Sequence, residues 1–323
     1  MKEIFIKEND ANQRVDKFLI KSFPKLSTSE VYKYIRKKRV KLNNKRCEAS
    51  NKLSVGDVIQ LYINDDLLEQ ELDLKFLKSN NKLNVIYEDE NILIVNKPVG
   101  LIVHEDDKEK IDTLVNRVKK YLYLKGNFNP NGENSFVPAL VNRIDRNTEG
   151  LVVAAKNAQS LRILNEKFKN RELQKFYLCL AQGKFKNKTG ILNNYLIKDE
   201  AKNKVYVSDK PEKNAKKIST KYRVVDELKN NKNKNLVKSI IEIELLTGRS
   251  HQIRAHMAYI GHPLVGDIKY GATKNLNGVS HQILMAYKLV FDFNKDADIL
   301  NYLNKKVFVI EDAKNKLINL EIL

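Results

Sequence analysis

Residues 142–155 have the sequence NRIDRNTEGLVVAA, in which a charged loop leads directly into an apolar run. The run at residues 151–155 predicts a buried strand, and the polar residues before it predict a turn. Asp145 lies between Arg143 and Arg146, two permanent cations that favour an ionised carboxylate. An ion pair in an exposed loop would explain the same pattern. Because catalytic groups often lie in loops that enter strands, Asp145 is also a candidate reactive carboxylate.

Around this segment, residues 83–323 predict one large domain of mixed α+β class. Larger apolar residues alternate with other residue types at residues 176–180 and 241–245, as expected for half-buried strands. Such strands favour a mainly antiparallel sheet with one covered face and flanking helices. Three helices are predicted among the strands, at residues 114–121, at residues 161–168 and from a Ser250 cap to Gly261.

The N-terminal part of the chain predicts a separate unit. The pattern of residues 1–63 predicts a small α/β module. The next segment, residues 64–82, is acidic and then polar, which predicts a linker. The module contains two helices with apolar spacing, and the second can be capped by a hydroxyl side chain at residues 27–29. A hairpin follows and turns at Asn43 and Asn44.

A basic cluster made of Arg36, Lys37, Lys38 and Arg39 ends the second helix of this module. Cations in a last helical turn would by themselves complement the helix dipole. Arginine is also a strong phosphate ligand. The order of the elements, together with the basic ridge, resembles the αL-type RNA-binding module of a small-subunit ribosomal protein. That resemblance implies that the four side chains contact RNA.

The charge of the whole chain points to a polyanionic partner. The 323 residues include 59 lysines and arginines against 40 aspartates and glutamates, a net charge of +19 with a pI near 9.6. Nucleic acid or an anionic membrane surface would satisfy this excess. Much of it is lysine in polar loops such as residues 213–217, which a solvated surface would also explain. Eight of the twelve arginines, however, lie in three regions, near the N-terminus, beside Asp145, and at Arg249 and Arg254.

Signals for export, membrane insertion and metal binding are not found in the sequence. The first residues have no apolar signal region and no run is long enough to span a bilayer, so a cytoplasmic protein without membrane contact is expected. Cys47 and Cys179 are far apart and lack metal-ligand spacing, as do the five histidines. We therefore expect reduced thiols and no metal site.

Four motifs in the larger domain together resemble the RluA-type pseudouridine synthases. Their order and spacing match the family over about residues 85–293, and four such motifs rarely coincide by chance. They are residues 87–100 with His104, residues 143–151, residues 175–178, and residues 247–254 continuing to residues 261–263.

The resemblance implies an RNA isomerase that detaches a uracil base, turns it and rejoins it through carbon without a cofactor. In the family the residue matching Asp145 acts as nucleophile or as base at the ribose, and the one matching Arg254 pairs with that carboxylate. Arg143 corresponds to the residue that fills the space left by the flipped base. Tyr177 corresponds to the aromatic that stacks on the uracil and can transfer a proton.

The same side chains have simpler explanations when each is taken alone. Tyr177 would be a half-buried sheet aromatic, Arg254 a cation on a helix surface, and His251 a local structural or phosphate contact. Arg146 and Arg249 are interpreted as further RNA contacts beside the catalytic residues.

Three positions depart from the family pattern. Asn142 stands where a histidine is usual, Glu149 replaces a common serine, and Met285 occupies the place of a second histidine. None of these changes removes a proposed catalytic residue, but each affects the finer substrate assignment.

The sequence therefore predicts a monomeric pseudouridine synthase that modifies uridines of 23S ribosomal RNA, since the N-terminal module accompanies the ribosomal subgroup. A tRNA-directed synthase is the alternative within the class, and a non-catalytic RNA-binding ribosome-assembly factor is the alternative outside it. The joint presence of Asp145, Tyr177 and Arg254 argues against the non-catalytic factor. A carboxylate-dependent hydrolase would need a second acid or a metal site, and the sequence indicates neither.

Overall fold

The computed structural model describes residues 1–69, 72–229, 237–273, 279 and 281–322. The described chain forms a four-stranded sheet in the N-terminal module and an eleven-stranded sheet in the larger domain. This arrangement confirms the predicted α+β class with a mainly antiparallel sheet. Within the described residues, no helix is long and apolar enough to cross a membrane.

The N-terminal module packs two helices on its small sheet. Ser27 caps α2 through a capping box with Glu30, as the hydroxyl pattern predicts. Asn43 and Asn44 both have positive φ, which closes the predicted tight hairpin turn. The elements are β1 (Lys2–Phe5), α1 (Val15–Ser22), α2 (Thr28–Arg36), β2 (Val40–Leu42), β3 (Lys45–Arg46) and β4 (Val58–Leu61), in the sheet order β1-β4-β2-β3.

Polar contacts hold the module against the larger domain. The Asp10 carboxylate accepts hydrogen bonds from Asn134 Nδ2 and from Ser135 Oγ, both at 2.7 Å. Asn9 Oδ1 accepts the backbone N–H of Ala158 at 3.0 Å, which satisfies one free donor at a helix start. In the segment predicted as a linker, two short 3₁₀ turns are found, and residues 70 and 71 lie outside the described part.

The large sheet has the strand order β11-β10-β12-β13-β9-β14-β8-β6-β5, and β7 and β15 pair with β8 and β14. Its strands are β5 (Asn84–Glu88), β6 (Ile92–Lys97), β7 (Ala139–Leu140), β8 (Glu149–Ala155), β9 (Leu173–Gln182), β10 (Thr189–Asp199), β11 (Lys204–Ser208), β12 (Lys216–Lys229), β13 (Val237–Leu245), β14 (Leu284–Phe291) and β15 (Val307–Val309). The helices of this domain are α3 (Leu114–Leu124), α4 (Ala158–Lys169), α5 (Gln252–Tyr259) and α6 (Ala313–Ile322).

The middle of the large sheet is covered on both faces. Every residue of β6 and β8 is buried, with one core cluster on each side. The expectation of a single covered face is therefore wrong here, although the outer strand β10 does alternate between buried and more exposed positions. The uninterrupted apolar run at residues 151–155 is the sequence signal of a strand buried on both faces.

Gly150 allows β8 and β14 to pair in parallel, against the antiparallel pattern of their neighbours. Its φ of +135° is a conformation that side-chain-bearing residues rarely adopt. A Cβ added to Gly150 would lie 2.3 Å from the carbonyl oxygen of Ala286. Because this approach brings β14 beside the loop that precedes β8, Gly150 shapes one wall of the site described below.

The start of α5 differs from the sequence prediction. Ser250 was expected to cap the helix, but the residue at the cap position is His251, with φ of +55° and no side-chain capping bond. Gln252 instead holds the segment before α5 in place, since its Oε1 accepts hydrogen bonds from the Arg249 backbone N–H and from the Thr247 hydroxyl. The helix ends at Tyr259, just before the predicted stop at Gly261.

Replacing Gly150 with alanine should destabilise the protein by about 3 kcal/mol or more, because backbone strain and the clash with Ala286 add together. Urea unfolding measures this loss. Gly132→Ala is the matched control, since its Cβ would find ordinary contacts at 3.5 Å or more. Equal stability of the two variants would contradict the proposed constraint at Gly150.

Candidate active site

Asp145 lies in the loop between β7 and β8, and Asn142 fastens that loop to the strand. Asn142 Oδ1 accepts the Val153 N–H at 2.8 Å, and its Nδ2 donates to the Leu151 carbonyl at 3.2 Å. The Thr148 N–H donates to the backbone carbonyl of Asp145 at 3.0 Å. Asn142 thereby fixes the start of the loop to β8, and the Thr148 bond closes a turn within the loop.

Lys97 supports the same loop from below. Its fully buried ammonium donates to the carbonyls of Arg146, Leu101 and Pro98 at 2.7–2.9 Å. Burial lowers the pKa of Lys97 to about 7, against the opposing charges of Asp145 and Glu149. Three carbonyl acceptors require three N–H donors, which only the ammonium form carries. Lys97 is therefore a structural cation beneath the candidate carboxylate.

A cavity of about 480 Å³ opens above this loop. Asp145 from the loop, Tyr177 from β9 and Arg254 from α5 all line it. The structure thus brings together the three residues predicted to be catalytic, which are separated by up to 109 positions in the sequence. A cavity of this size can hold a nucleoside-sized ligand.

Arg254 is held mainly by Asp267 and only loosely by Asp145. Its Nε and Nη2 donate to the two oxygens of Asp267, both at 2.7 Å, whereas Nη1 lies 3.5 Å from Asp145 Oδ2. Its guanidinium also stacks 4.9 Å above the ring of Tyr270. Burial works against the charge, but the bonds to Asp267 and the charges of both carboxylates raise the pKa of Arg254. Arg254 therefore presents a fixed cation to Asp145.

Tyr177 is buried in the cavity wall. Burial raises the pKa of its hydroxyl, and the negative charge of Asp145 adds to that rise. The hydroxyl is therefore protonated at neutral pH and can donate a proton or a hydrogen bond. Leu178, its neighbour on β9, packs in a different core cluster on the other side of the sheet, as strand alternation predicts.

The residues predicted to contact RNA lie in three different places. Arg143 and Arg249 line the rim of the cavity with exposed side chains, whereas Arg146 turns to Asp106 and forms an exposed ion pair at 2.8 Å. The four cations at residues 36–39 lie apart from it, on the module. They are exposed, and no ion-pair partner is found for them among the described residues.

Several residues that shape the site were missed by sequence reasoning. Asp267 and Tyr270 follow the last motif and were assigned no role, although a buried arginine requires a carboxylate somewhere. Lys175 lines the cavity at the start of β9 with an amine whose pKa is lowered by burial. Across the part of the chain that is described, no cluster of three histidine, cysteine or acidic residues could hold a metal ion.

The sequence matches known families in both parts of the chain. Residues 91–259 match the RNA pseudouridylate synthase family, and residues 13–59 match the S4 domain. This chain belongs to the RNA pseudouridylate synthase family. It is an RNA pseudouridine synthase, an isomerase with an N-terminal RNA-binding S4 domain.

Relatives cover most of this synthase. An uncharacterized RNA pseudouridine synthase of Mycoplasma genitalium is 37% identical over 90% of this chain and 88% of its own length. Ribosomal large subunit pseudouridine synthase C of Vibrio vulnificus is 32% identical over 82% of this chain and 79% of its own. Ribosomal large subunit pseudouridine synthase D of Blochmanniella floridana is 31% identical over 92% and 88%.

Solved structures agree on the fold. Human RNA pseudouridylate synthase domain containing 4 aligns with a TM-score of 0.56, covering 74% of this chain and 93% of the human chain at 18% identity. At that identity the likeness concerns the architecture of the synthase domain alone.

The three departures from the family pattern are structural residues in this synthase. Asn142 fastens the Asp145 loop to β8, and it also lines the cavity. Glu149 is buried and accepts hydrogen bonds from Asn96 and Lys316. Met285 is buried in the core beside Leu178.

Arg254→Met should lower the free energy of unfolding by about 3–5 kcal/mol, because it leaves the Asp267 carboxylate buried without a cation. The Asp267 side chain is 1% exposed, whereas that of Asp145 is 29% exposed and reaches water. Adding Asp267→Asn should therefore recover much of the stability, whereas adding Asp145→Asn should recover little. Denaturant unfolding of the three variants measures the difference.

Arg223→Met is the matched control for this series. Its ion pair with Glu242 lies at the surface, so its loss should cost less than about 1 kcal/mol. All variants that lack Arg254 should also lack activity. Equal rescue by the two second substitutions would show that Asp267 is not the structural partner of Arg254.

Proposed function

We propose that this synthase isomerises uridines of 23S ribosomal RNA and that Asp145 is its reactive carboxylate. The observation that carries the proposal is the meeting of Asp145, Arg254 and Tyr177 in one cavity rimmed by cations. The names of the relatives from Vibrio vulnificus and Blochmanniella floridana support a ribosomal substrate. A cytoplasmic location and a monomeric state remain predictions.

The isomerisation breaks the bond from N1 of uracil to C1′ of ribose and forms a bond from C5 to C1′. One proton leaves C5 and one is gained at N1, so the product is an isomer of the substrate and no redox step occurs. Asp145 can act as nucleophile at C1′ or as base at the ribose. In either case its anion needs a cation nearby once bound RNA has displaced water from the cavity, and Arg254 supplies one.

Extraction of the base from a folded RNA requires contacts on both sides of the target. Arg143 stands at the cavity rim beside Asp145, where it can occupy the space that the flipped base leaves. Tyr177 offers a ring on which the uracil can stack and a protonated hydroxyl for proton transfer. Arg249, Lys175 and the exposed cations of the module can hold the phosphates.

Asp145→Asn should reduce isomerisation below about 1% of the wild-type rate while RNA affinity stays nearly unchanged, because the amide keeps the shape but is neither nucleophile nor base. Asp209→Asn, which changes an exposed acid bonded to Tyr259, is the control with wild-type activity. The measurement is pseudouridine mapping in ribosomal and transfer RNA from cells that lack the gene and carry each variant.

The same maps test the substrate. Loss of sites in 23S RNA, restored by wild type and Asp209→Asn alone, is the expected result. Loss confined to transfer RNA would establish the tRNA-directed alternative. Full restoration by Asp145→Asn would remove Asp145 from the mechanism.

Replacing residues 36–39 with glutamine should weaken RNA binding and flatten its salt dependence, by about one unit of slope for each phosphate that is no longer neutralised. A variant with glutamine at Lys210, Lys213, Lys216 and Lys217 carries the same charge change on exposed residues of the larger domain. Binding titrations at several salt concentrations compare the two. If their slopes fell equally, the basic cluster of the module would have no specific role in RNA binding.

A further inference from the structure

His251 has an unusual backbone conformation beside the candidate carboxylate. Its φ of +55° is uncommon for a residue with a side chain, and the residue makes no capping bond for α5. The ring contacts Tyr270 edge to face at 5.7 Å, and Nε2 lies 3.9 Å from Asp145 Oδ2. A strained residue that faces a reactive group is a candidate for a functional role.

The hydrogen bonds on the far side of His251 favour one assignment of the ring proton. The backbone N–H of Val205 donates to the Tyr270 oxygen at 3.1 Å, and a backbone N–H can only donate. His251 Nδ1 lies 2.9 Å from the same oxygen. Among the described residues the Tyr270 hydroxyl has no other acceptor, so its hydrogen is assigned to the bond with Nδ1. Nδ1 is then an acceptor, and the proton of the neutral ring is on Nε2.

Both donors that face Asp145 approach the same carboxylate oxygen. Arg254 Nη1 lies 3.5 Å and His251 Nε2 lies 3.9 Å from Oδ2. Oδ1 has no hydrogen-bond partner within the described part of the chain. The two distances are longer than good hydrogen bonds, as is common before substrate closes a site. Oδ1 is therefore the carboxylate oxygen without a donor among the described residues.

Tyr270 supports both donors at once. Its hydroxyl orients His251, and its ring face stacks under the guanidinium of Arg254, whose other nitrogens are bound by Asp267. Three residues hold the two donors in place. Val205 belongs to β11, and Asp267 and Tyr270 lie in the segment after α5. They act on Asp145 only through His251 and Arg254.

We propose that His251 is a positioning residue, which with Tyr270 presents an Nε2–H donor to Asp145 Oδ2 and so selects Oδ1 as the reactive oxygen. The inference rests on the proposed role of Asp145. The neutral ring is the required form, because an imidazolium beside Asp145 would form an ion pair and weaken the nucleophile. Burial lowers the pKa of His251, as do Arg254 and Lys269, whereas Asp145 and Asp267 raise it.

Two substitutions separate the functions of the two ring nitrogens. The amide nitrogen of His251→Gln can take the place of Nε2 and donate to Asp145, whereas the shorter His251→Asn can reach only the Nδ1 position, next to Tyr270. We expect kcat to fall at least about tenfold in His251→Asn with KM unchanged, and to be largely recovered in His251→Gln. Equal losses in the two variants, or a change confined to KM, would overturn the proposal.

A spectroscopic readout tests the same idea without activity. In the full chain labelled with ¹⁵N-histidine, the resonances of His251 should show the proton on Nε2. Tyr270→Phe, which keeps the ring beneath Arg254 but removes the hydroxyl, should give a mixture of tautomers and a lower kcat. A proton on Nδ1 in the wild-type protein would overturn the proposal.

The two proposals fail in distinguishable ways. If Asp145→Asn kept its activity, the function proposed for Asp145 would be wrong whatever the tautomer of His251. If Asp145→Asn were inactive but His251 carried its proton on Nδ1, only the positioning proposal would be lost. Thermal unfolding of each variant identifies any that fails to fold, and the wild-type tautomer remains decisive in that case.

Discussion

The ion pair between Arg254 and Asp267 is the interaction on which the site depends. Its side chains are 9% and 1% exposed, so both charges have been removed from water at a cost of several kcal/mol. Two hydrogen bonds of 2.7 Å offset that cost. Two hydrophobic residues in place of Arg254 and Asp267 could stabilise the fold equally, but they would leave Asp145 without a cation. The buried pair is best understood as the support for a fixed positive charge in the cavity.

The Asp145 loop is also held by hydrogen bonds to the fold. Asn142 ties the loop to β8, and the Lys97 ammonium binds the carbonyl of Arg146 from beneath. Gly150 then lets β14 approach β8 closely enough to complete the wall. A carboxylate held on a rigid frame loses little entropy when it reacts, so the fold itself positions the reactive group.

The positive charge of the chain is distributed between structure and surface. Arg146 forms an ion pair with Asp106, and Arg223 forms one with Glu242. In this structure the two arginines therefore contact other parts of the protein. Arg143 and Arg249 at the cavity rim and the cluster at residues 36–39 are exposed. Contacts of Asp10 and Asn9 hold the module that carries this cluster against the larger domain. Positive charge that these two ion pairs do not use is thus exposed at the cavity rim and on the module.

Short-range patterns in the sequence by themselves determined the α+β class, a hydroxyl cap for α2 at residues 27–29, the hairpin at Asn43 and Asn44, and the apolar strand after Asp145. Each of these depends on residues within a few positions of one another. The motifs also sufficed to recognise the family. Tertiary structure alone decided that β8 pairs in parallel with β14 and that His251, not Ser250, precedes α5. It also decided that the closer partner of Arg254 is Asp267 and the more distant one is Asp145. The physical reason is that a buried charge or strand takes the partner that packing places beside it, and local periodicity carries no information about that partner.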